Sequence, residues 1–182
     1  MTILGISGSL RITSSNMAIL RAAARLAPSA THVEIYDRLA EVPAFSPDLD
    51  VDPLPEPIVD LRARIARADA LLISSPEYAH GMPGSLKNLL DWLVSALEAL
   101  HKPVLVLSAS PGGAVFAHAQ LLEVLRTMNL CVVDGGAHVF SRSKLDPMGE
   151  VASRELLSTI AAALVTLAAT ATAAQQRQQH ET

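Results

Sequence analysis

Three short runs, Thr2 to Ser7, Ala70 to Ser75 and Pro103 to Ser108, are apolar nearly throughout. A strand with one wet face alternates apolar and polar residues, so such runs belong to strands covered on both faces. A parallel sheet between two layers of helices meets that condition. Two further runs, His32 to Tyr36 and a weaker one around Cys131 to Val133, bring the expected strands to five. Amphipathic stretches alternate with them, at Asn16 to Leu26, Ile58 to Ala68, Gly84 to Ala99 and Ala114 to Met128, with a last helix over Val151 to Ala171. Strand and helix repeated in this order predict a doubly wound parallel α/β sheet.

The 182 residues, half of them hydrophobic, suffice for one well-filled core. No repeat or composition shift divides residues 1–174, which read as a single domain; residues 175–182 are polar, aperiodic and expected to be disordered. Pro43 to Pro57 holds five prolines, predicting a long irregular connection that borders the site. With 14 basic against 18 acidic residues and 3% aromatics, nucleic acid is not the expected partner. The one cysteine, Cys131, excludes an intramolecular disulfide and is expected to be buried. The histidines lack metal-ligand spacing, so no metal is expected. No basic leader precedes the first strand, and the apolar run Ile160 to Ala174 falls short of the ~20 residues of a bilayer span. A cytoplasmic chain without a membrane partner is the expectation.

Chemistry concentrates in two loops. The first strand runs into Gly8-Ser9-Leu10-Arg11-Ile12-Thr13-Ser14-Ser15-Asn16, where a helix begins with Met17 in its first turn. Free amides and the helix dipole favour an anion there, and Arg11 can take phosphate oxygens in a bidentate way. Ser14, Ser15 or Asn16 could also simply cap the helix. Several hydroxyls beside an arginine, directly after a buried strand, point further, to a monophosphate site. The loop is neither a Walker loop nor a Gly-x-Gly-x-x-Gly turn.

The third strand is followed by Pro76-Glu77-Tyr78-Ala79-His80-Gly81-Met82-Pro83-Gly84, then Ser85-Leu86-Lys87-Asn88. Ligands of open α/β sheets bind beyond the carboxyl ends of the strands. The prolines and glycines constrain a loop whose backbone can approach a flat ligand, with Tyr78 beside it. His80 is the one histidine placed to meet a second substrate. Glu77 reads first as a loop anchor, Lys87 and Asp91 as a helical ion pair, and Trp92 as core or subunit interface.

These motifs resemble those of the NADPH-dependent FMN reductases. Gly8-Ser9-Leu10-Arg11 with Ser14 and Asn16 is similar to the family's phosphate loop. Ser75-Pro76-Glu77-Tyr78, Gly81-Met82-Pro83-Gly84, Leu86-Lys87-Asn88 and Asp91-Trp92 are similar to its flavin-ring loop and following helix. Ser108-Ala109-Ser110-Pro111-Gly112-Gly113 resembles its third flavin-side loop. The resemblance implies a flavodoxin-like three-layer sandwich with a five-stranded parallel sheet in the order 2-1-3-4-5. It implies that Ser9, Arg11, Ser14 and Asn16, with Leu10, Ser15 and Met17 around them, hold the FMN phosphate. Pro76, Glu77, Tyr78, Ala79 and Gly81 would line the isoalloxazine, with Ser108, Ala109, Ser110, Gly112 and Gly113 on its other side. Many relatives carry asparagine where this chain has Ala79.

The activity so implied is hydride transfer from NADPH or NADH to bound FMN and on to a small acceptor: a flavin, quinone, azo compound or metal oxyanion. Flavin carries that chemistry, so no catalytic side chain is expected. A homodimer or homotetramer is implied as well. The competing readings are a flavodoxin-like electron carrier with FMN but no NAD(P)H oxidation, and a receiver-like regulatory domain. The latter needs acidic residues after the first strand, where Ile6, Ser7 and Gly8 stand.

Overall fold

The structure, a computed structural model, describes residues 1–109, 114–133, 138–140, 146 and 148–180. Strands β1 (Thr2–Ser7), β2 (His32–Tyr36), β3 (Ala70–Ser75), β4 (Pro103–Ala109) and β5 (Cys131–Val132) form a parallel sheet in the order β2-β1-β3-β4-β5. This is the flavodoxin-like strand order. A further strand, β6 (His138–Phe140), also pairs with β4. The expected fifth strand is therefore met by two short pieces, Cys131 opposite Pro103 and His138 opposite Leu107.

Both faces of the sheet are dry. Leu4, Ile6, Leu71, Ile73, Val104 and Val106 face helices α2 (Glu56–Arg67), α3 (Gly84–Asp91) and α4 (Val115–Thr127). Ile3, Ala70, Leu72, Leu105 and Leu107 face α1 (Ser15–Leu26) and α5 (Arg154–His180). Successive strand residues point to opposite faces, so a run apolar at every position feeds two cores at once.

Several boundaries differ from the sequence reading for local reasons. Helix α2 starts at Glu56, with Pro57 in its first turn, where the missing N–H has no helical partner to lose. Helix α3 stops at Asp91 instead of reaching Ala99; a 3₁₀ turn occupies Leu97–Ala99. The bonds tighten there: Leu93 N donates to Leu90 O and Ala96 N to Leu93 O. The Arg62 guanidinium donates to the Trp92 carbonyl at 2.8 Å, taking an acceptor that a continuing helix would use.

Helix α5 runs on through Gln175, where the sequence suggested a disordered tail, to His180. Gln175 donates to Asp69 Oδ1 at 2.6 Å, and Asp69 Oδ2 accepts from Thr2 N at 2.6 Å, which ties this helix to the foot of β1. By length and composition Arg154–Arg177 could cross a membrane, although the apolar run alone looked too short. Leu156, Ile160, Leu164 and Leu167 of this helix are buried in the core shared with α1 and the sheet. Cys131 is exposed, contrary to expectation, because it lies on the two-residue strand at the sheet's edge.

The proline-rich 43–57 segment is docked on α3. Asn88 Nδ2 and Trp92 Nε1 both donate to Pro43 O at 2.8 Å, and Phe45 N donates to Asn88 Oδ1 at 2.7 Å. Asp50 pairs with Arg62 at 2.8 Å and accepts from Ser95. Lys87 and Asp91 form the expected pair at 2.6 Å.

Candidate functional site

The carboxyl ends of β1, β3 and β4 carry buried serines: Ser7, Ser74, Ser75 and Ser108. A buried hydroxyl needs a partner, and each of these finds one in a loop or helix of the site. Ser7 Oγ accepts from Ser9 N at 3.2 Å, shaping the first loop. Ser74 donates to Asn16 Oδ1 at 3.0 Å, fixing the start of α1 to the end of β3. Ser75 donates to Pro76 O, and Ser108 Oγ lies 3.4 Å from His118 Nδ1 of α4.

Gly8 is where the first loop leaves the sheet. Its N–H donates to Ser74 O at 2.8 Å, and a Cβ there would stand 2.9 Å from Ser75 Oγ and 3.0 Å from Leu86 Cδ2. Both neighbours are buried, with little free space to move into. Gly8→Ala is therefore expected to cost about 1–3 kcal/mol, the usual range for overpacking. Urea denaturation checks it; an unchanged midpoint would show that Ser75 and Leu86 yield freely.

From Gly8 the chain passes Ser9, whose Oγ accepts from Arg11 N at 3.3 Å, and reaches Ser14, the N-cap of α1. Ser14 Oγ accepts from Met17 N at 3.3 Å. A hydroxyl that accepts keeps its own hydrogen to donate, so capping leaves Ser14 able to bind an anion. Arg21, Arg25, Arg38, Arg62 and Arg64 all meet carboxylates. Arg11 is exposed and makes no ion pair among the described residues. An open pocket of about 240 Å³ lies between Ser9, Leu10, Arg11 and Ile12 on one side and Tyr36, Asp37 and Leu39 on the other. Burial pushes the Tyr36 hydroxyl up to about 12, with Asp60 adding to the effect, so it stays protonated. Residues 43–57 do not line this pocket.

The second loop is a tight turn. Tyr78 N donates to Gly81 O at 2.9 Å and Gly81 N to Tyr78 O at 3.0 Å, while Ala79 and His80 take φ of 49° and 60°. This is the two-residue turn with both central residues left-handed, a conformation costing an ordinary L-residue about 1–2 kcal/mol. Asparagine tolerates it better, which gives the departure at Ala79 a structural meaning.

Helix α4 holds the turn in place. Glu77 Oε2 accepts from Ala117 N at 2.9 Å, serving a helix whose own N-cap residue, Ala114, has no side chain to offer. Gln120 Oε1 accepts from Met82 N at 2.9 Å, and Phe116 stacks on His80. Glu77 is thus a loop anchor. Gln120, Phe116 and His118 went unnoticed in the sequence because nothing in the spacing links α4 to a loop nearly forty residues earlier.

Leu10, Ser15, Met17, Pro76 and Gly81 all fall in these two loops or the first turn of α1, and Ala109 ends β4. Ser110, Gly112 and Gly113 lie outside the described residues. The register Ser7 to Ser74 and Ser75 to Ser108 sets the three strand ends side by side, so both described loops open on one edge of the sheet.

Residues 1–144 match the sequence model of a family described as NADPH-dependent FMN reductase. The chain belongs to this family. An NAD(P)H-dependent FMN reductase of Pseudomonas aeruginosa is 39% identical over 120 residues, 65% of this chain and 64% of its own length. The chain's match thus covers somewhat under two thirds of that relative. A quinone reductase of Escherichia coli K12 is 31% identical over 79% of this chain and 81% of its own. Among solved structures, the flavoenzyme FerB, an NAD(P)H:(acceptor) oxidoreductase of Paracoccus denitrificans, has a TM-score of 0.78 at 26% identity, covering 91% of this chain and 96% of its own.

The family's FMN fits the residues present. Ser14 and Arg11 offer an O–H and a guanidinium to a phosphate, next to the amides of α1. The turn at Tyr78 to Gly81 presents a fixed backbone on the neighbouring strand end.

Proposed function

We propose that this chain is an NAD(P)H-dependent FMN reductase that passes electrons to a small oxidised acceptor, a quinone or a flavin. The observation that carries the reading is the pairing of two built loops on adjacent strand ends: an anion cradle with an uncompensated arginine, and a rigid turn beside it. In this reading Arg11, Ser9 and Ser14 take the phosphate, with Leu10, Ser15, Asn16 and Met17 shaping its surroundings. Pro76 to Ala79 and Gly81 flank the ring, and Ser108 and Ala109 approach it from β4. FMN, when bound, supplies the redox chemistry, accepting hydride from a nicotinamide and yielding electrons to an acceptor. The protein's part is to bind, orient and enclose, which needs no acid, base or metal from the chain. Among the described residues no His, Cys, Asp and Glu cluster could hold a metal ion.

The reading extends to a homo-oligomer of a single-domain chain acting in the cytoplasm, the compartment that supplies reduced nicotinamide. Val94, Leu97 and Leu100, exposed apolar side chains just past α3, support the assembly.

The test is an absorbance spectrum of the purified chain reconstituted with FMN, before and after anaerobic NADPH or NADH. Retained flavin bands that bleach within seconds are expected. Bound flavin that stays oxidised with both nucleotides would replace the reductase by an electron carrier, and folded protein that retains no flavin would overturn the phosphate site. Sedimentation of the same sample at the 19.2 kDa of one chain would remove the oligomer from the reading.

A further inference from the structure

Binding FMN gives no use to two aromatic side chains at the second loop, His80 and Phe116. His80 and Phe116 stack with ring centroids 4.4 Å apart and planes 25° apart, yet Phe116 is 57% exposed. Tyr78, on the same turn, is 49% exposed. Holding aromatic side chains stacked in water costs rotamer freedom and buries little. The turn that carries His80 is itself held in an unfavourable backbone conformation, at Ala79 and His80. Two hydrogen bonds from separate sites on α4's first turns and the loop, Ala117 N to Glu77 and Met82 N to Gln120, keep it there. The result is a stacked pair, open to solvent, on a braced turn.

Its position gives that pair a purpose. The turn follows β3, Phe116 follows β4, and Ser75 is in register with Ser108, so the stack stands at the mouth of the crevice beyond both strand ends. We propose that the His80–Phe116 stack is an acceptor-selecting wall that favours planar aromatic oxidants, quinones above all, over compact inorganic ones. A flat ring gains offset stacking and apolar contact against such a wall, whereas an octahedral ion gains neither. The inference rests on the reductase reading. The reaction served is the conversion of a quinone to its hydroquinone, both carbonyl oxygens becoming hydroxyls. NAD(P)H supplies two electrons and one proton as hydride and becomes NAD(P)⁺; solvent supplies the second proton.

The experiment uses the FMN-loaded protein and compares 1,4-naphthoquinone with ferricyanide as acceptor. Phe116→Ala and His80→Ala are expected to lower the naphthoquinone-to-ferricyanide ratio of kcat/KM about fivefold, chiefly through KM for the quinone. Calorimetric binding of naphthoquinone to the oxidised, FMN-loaded protein should weaken by the same factor, and Phe116→Tyr should restore both values. A ratio that stays within twofold of the parent protein overturns the wall. So does a parallel loss with both acceptors, which would place these residues in flavin or nicotinamide binding. A parent protein that reduces neither acceptor, although it binds FMN, overturns the reductase reading first and the wall with it.

Discussion

Trp92→Ala is expected to destabilise the fold by about 3–5 kcal/mol, the range for truncating a buried tryptophan. Trp92 is fully buried and sits just past the end of α3, where it meets Phe45 edge to face at 5.2 Å. Its Nε1 donates to Pro43 O at 2.8 Å, so alanine would open a cavity and remove one of the bonds that dock the proline-rich segment. Asn88 also donates to that carbonyl, so the oxygen keeps a partner and the cost stays mainly one of packing. With a urea slope of about 2 kcal/mol per molar, the midpoint should fall by roughly 1.5–2.5 M. Trp92→Phe keeps most of the ring and should cost about 1–2 kcal/mol. A loss under 1 kcal/mol in the alanine variant would mean that α3 and the 43–57 segment repack around the gap.

Arg11→Ala is expected to weaken FMN binding about 10- to 100-fold while leaving the urea midpoint unchanged. The affinity term follows from a charge-assisted, bidentate contact to phosphate, about 1.5–3 kcal/mol. The unchanged stability follows from exposure and from the absence of any ion pair to Arg11 among the described residues. Titration of flavin fluorescence gives the dissociation constant directly, without NAD(P)H. Arg11→Lys should recover part of the affinity, because a point charge replaces the fork. Equal affinity in the parent and alanine proteins would move the phosphate away from this loop. The same titration repeated with riboflavin, which has no phosphate, should show little difference between the two.

The strands and the capped start of α1 were legible in the sequence because their determinants are local. β1, β2 and β3 begin and end where the apolar runs do. Ser14 caps α1 through a bond to Met17, three residues on, a spacing that chain order alone prescribes. Glu77 as an anchor was legible in kind, though its partner Ala117 was not.

What remained hidden depends on residues that meet only after folding. Just past the end of α3 at Asp91 the Trp92 carbonyl accepts from Arg62, thirty residues upstream, a partner no local spacing reveals. The continuation of α5 past Ala171 is steadied by Gln175 reaching Asp69, more than a hundred residues away. Cys131 sits in an apolar stretch and is nonetheless exposed, since burial depends on where a strand lies in the sheet and this one lies at the edge. The aromatic pair His80 and Phe116 belongs to the same class, brought together by the register of β3 and β4 and by the bonds from α4 to the turn. Periodicity, capping and turn chemistry thus determined which elements this chain forms and how the first helix is capped. Tertiary structure decided where helices stop and which side chains stand together at the crevice, because those outcomes rest on contacts between segments that no local spacing encodes.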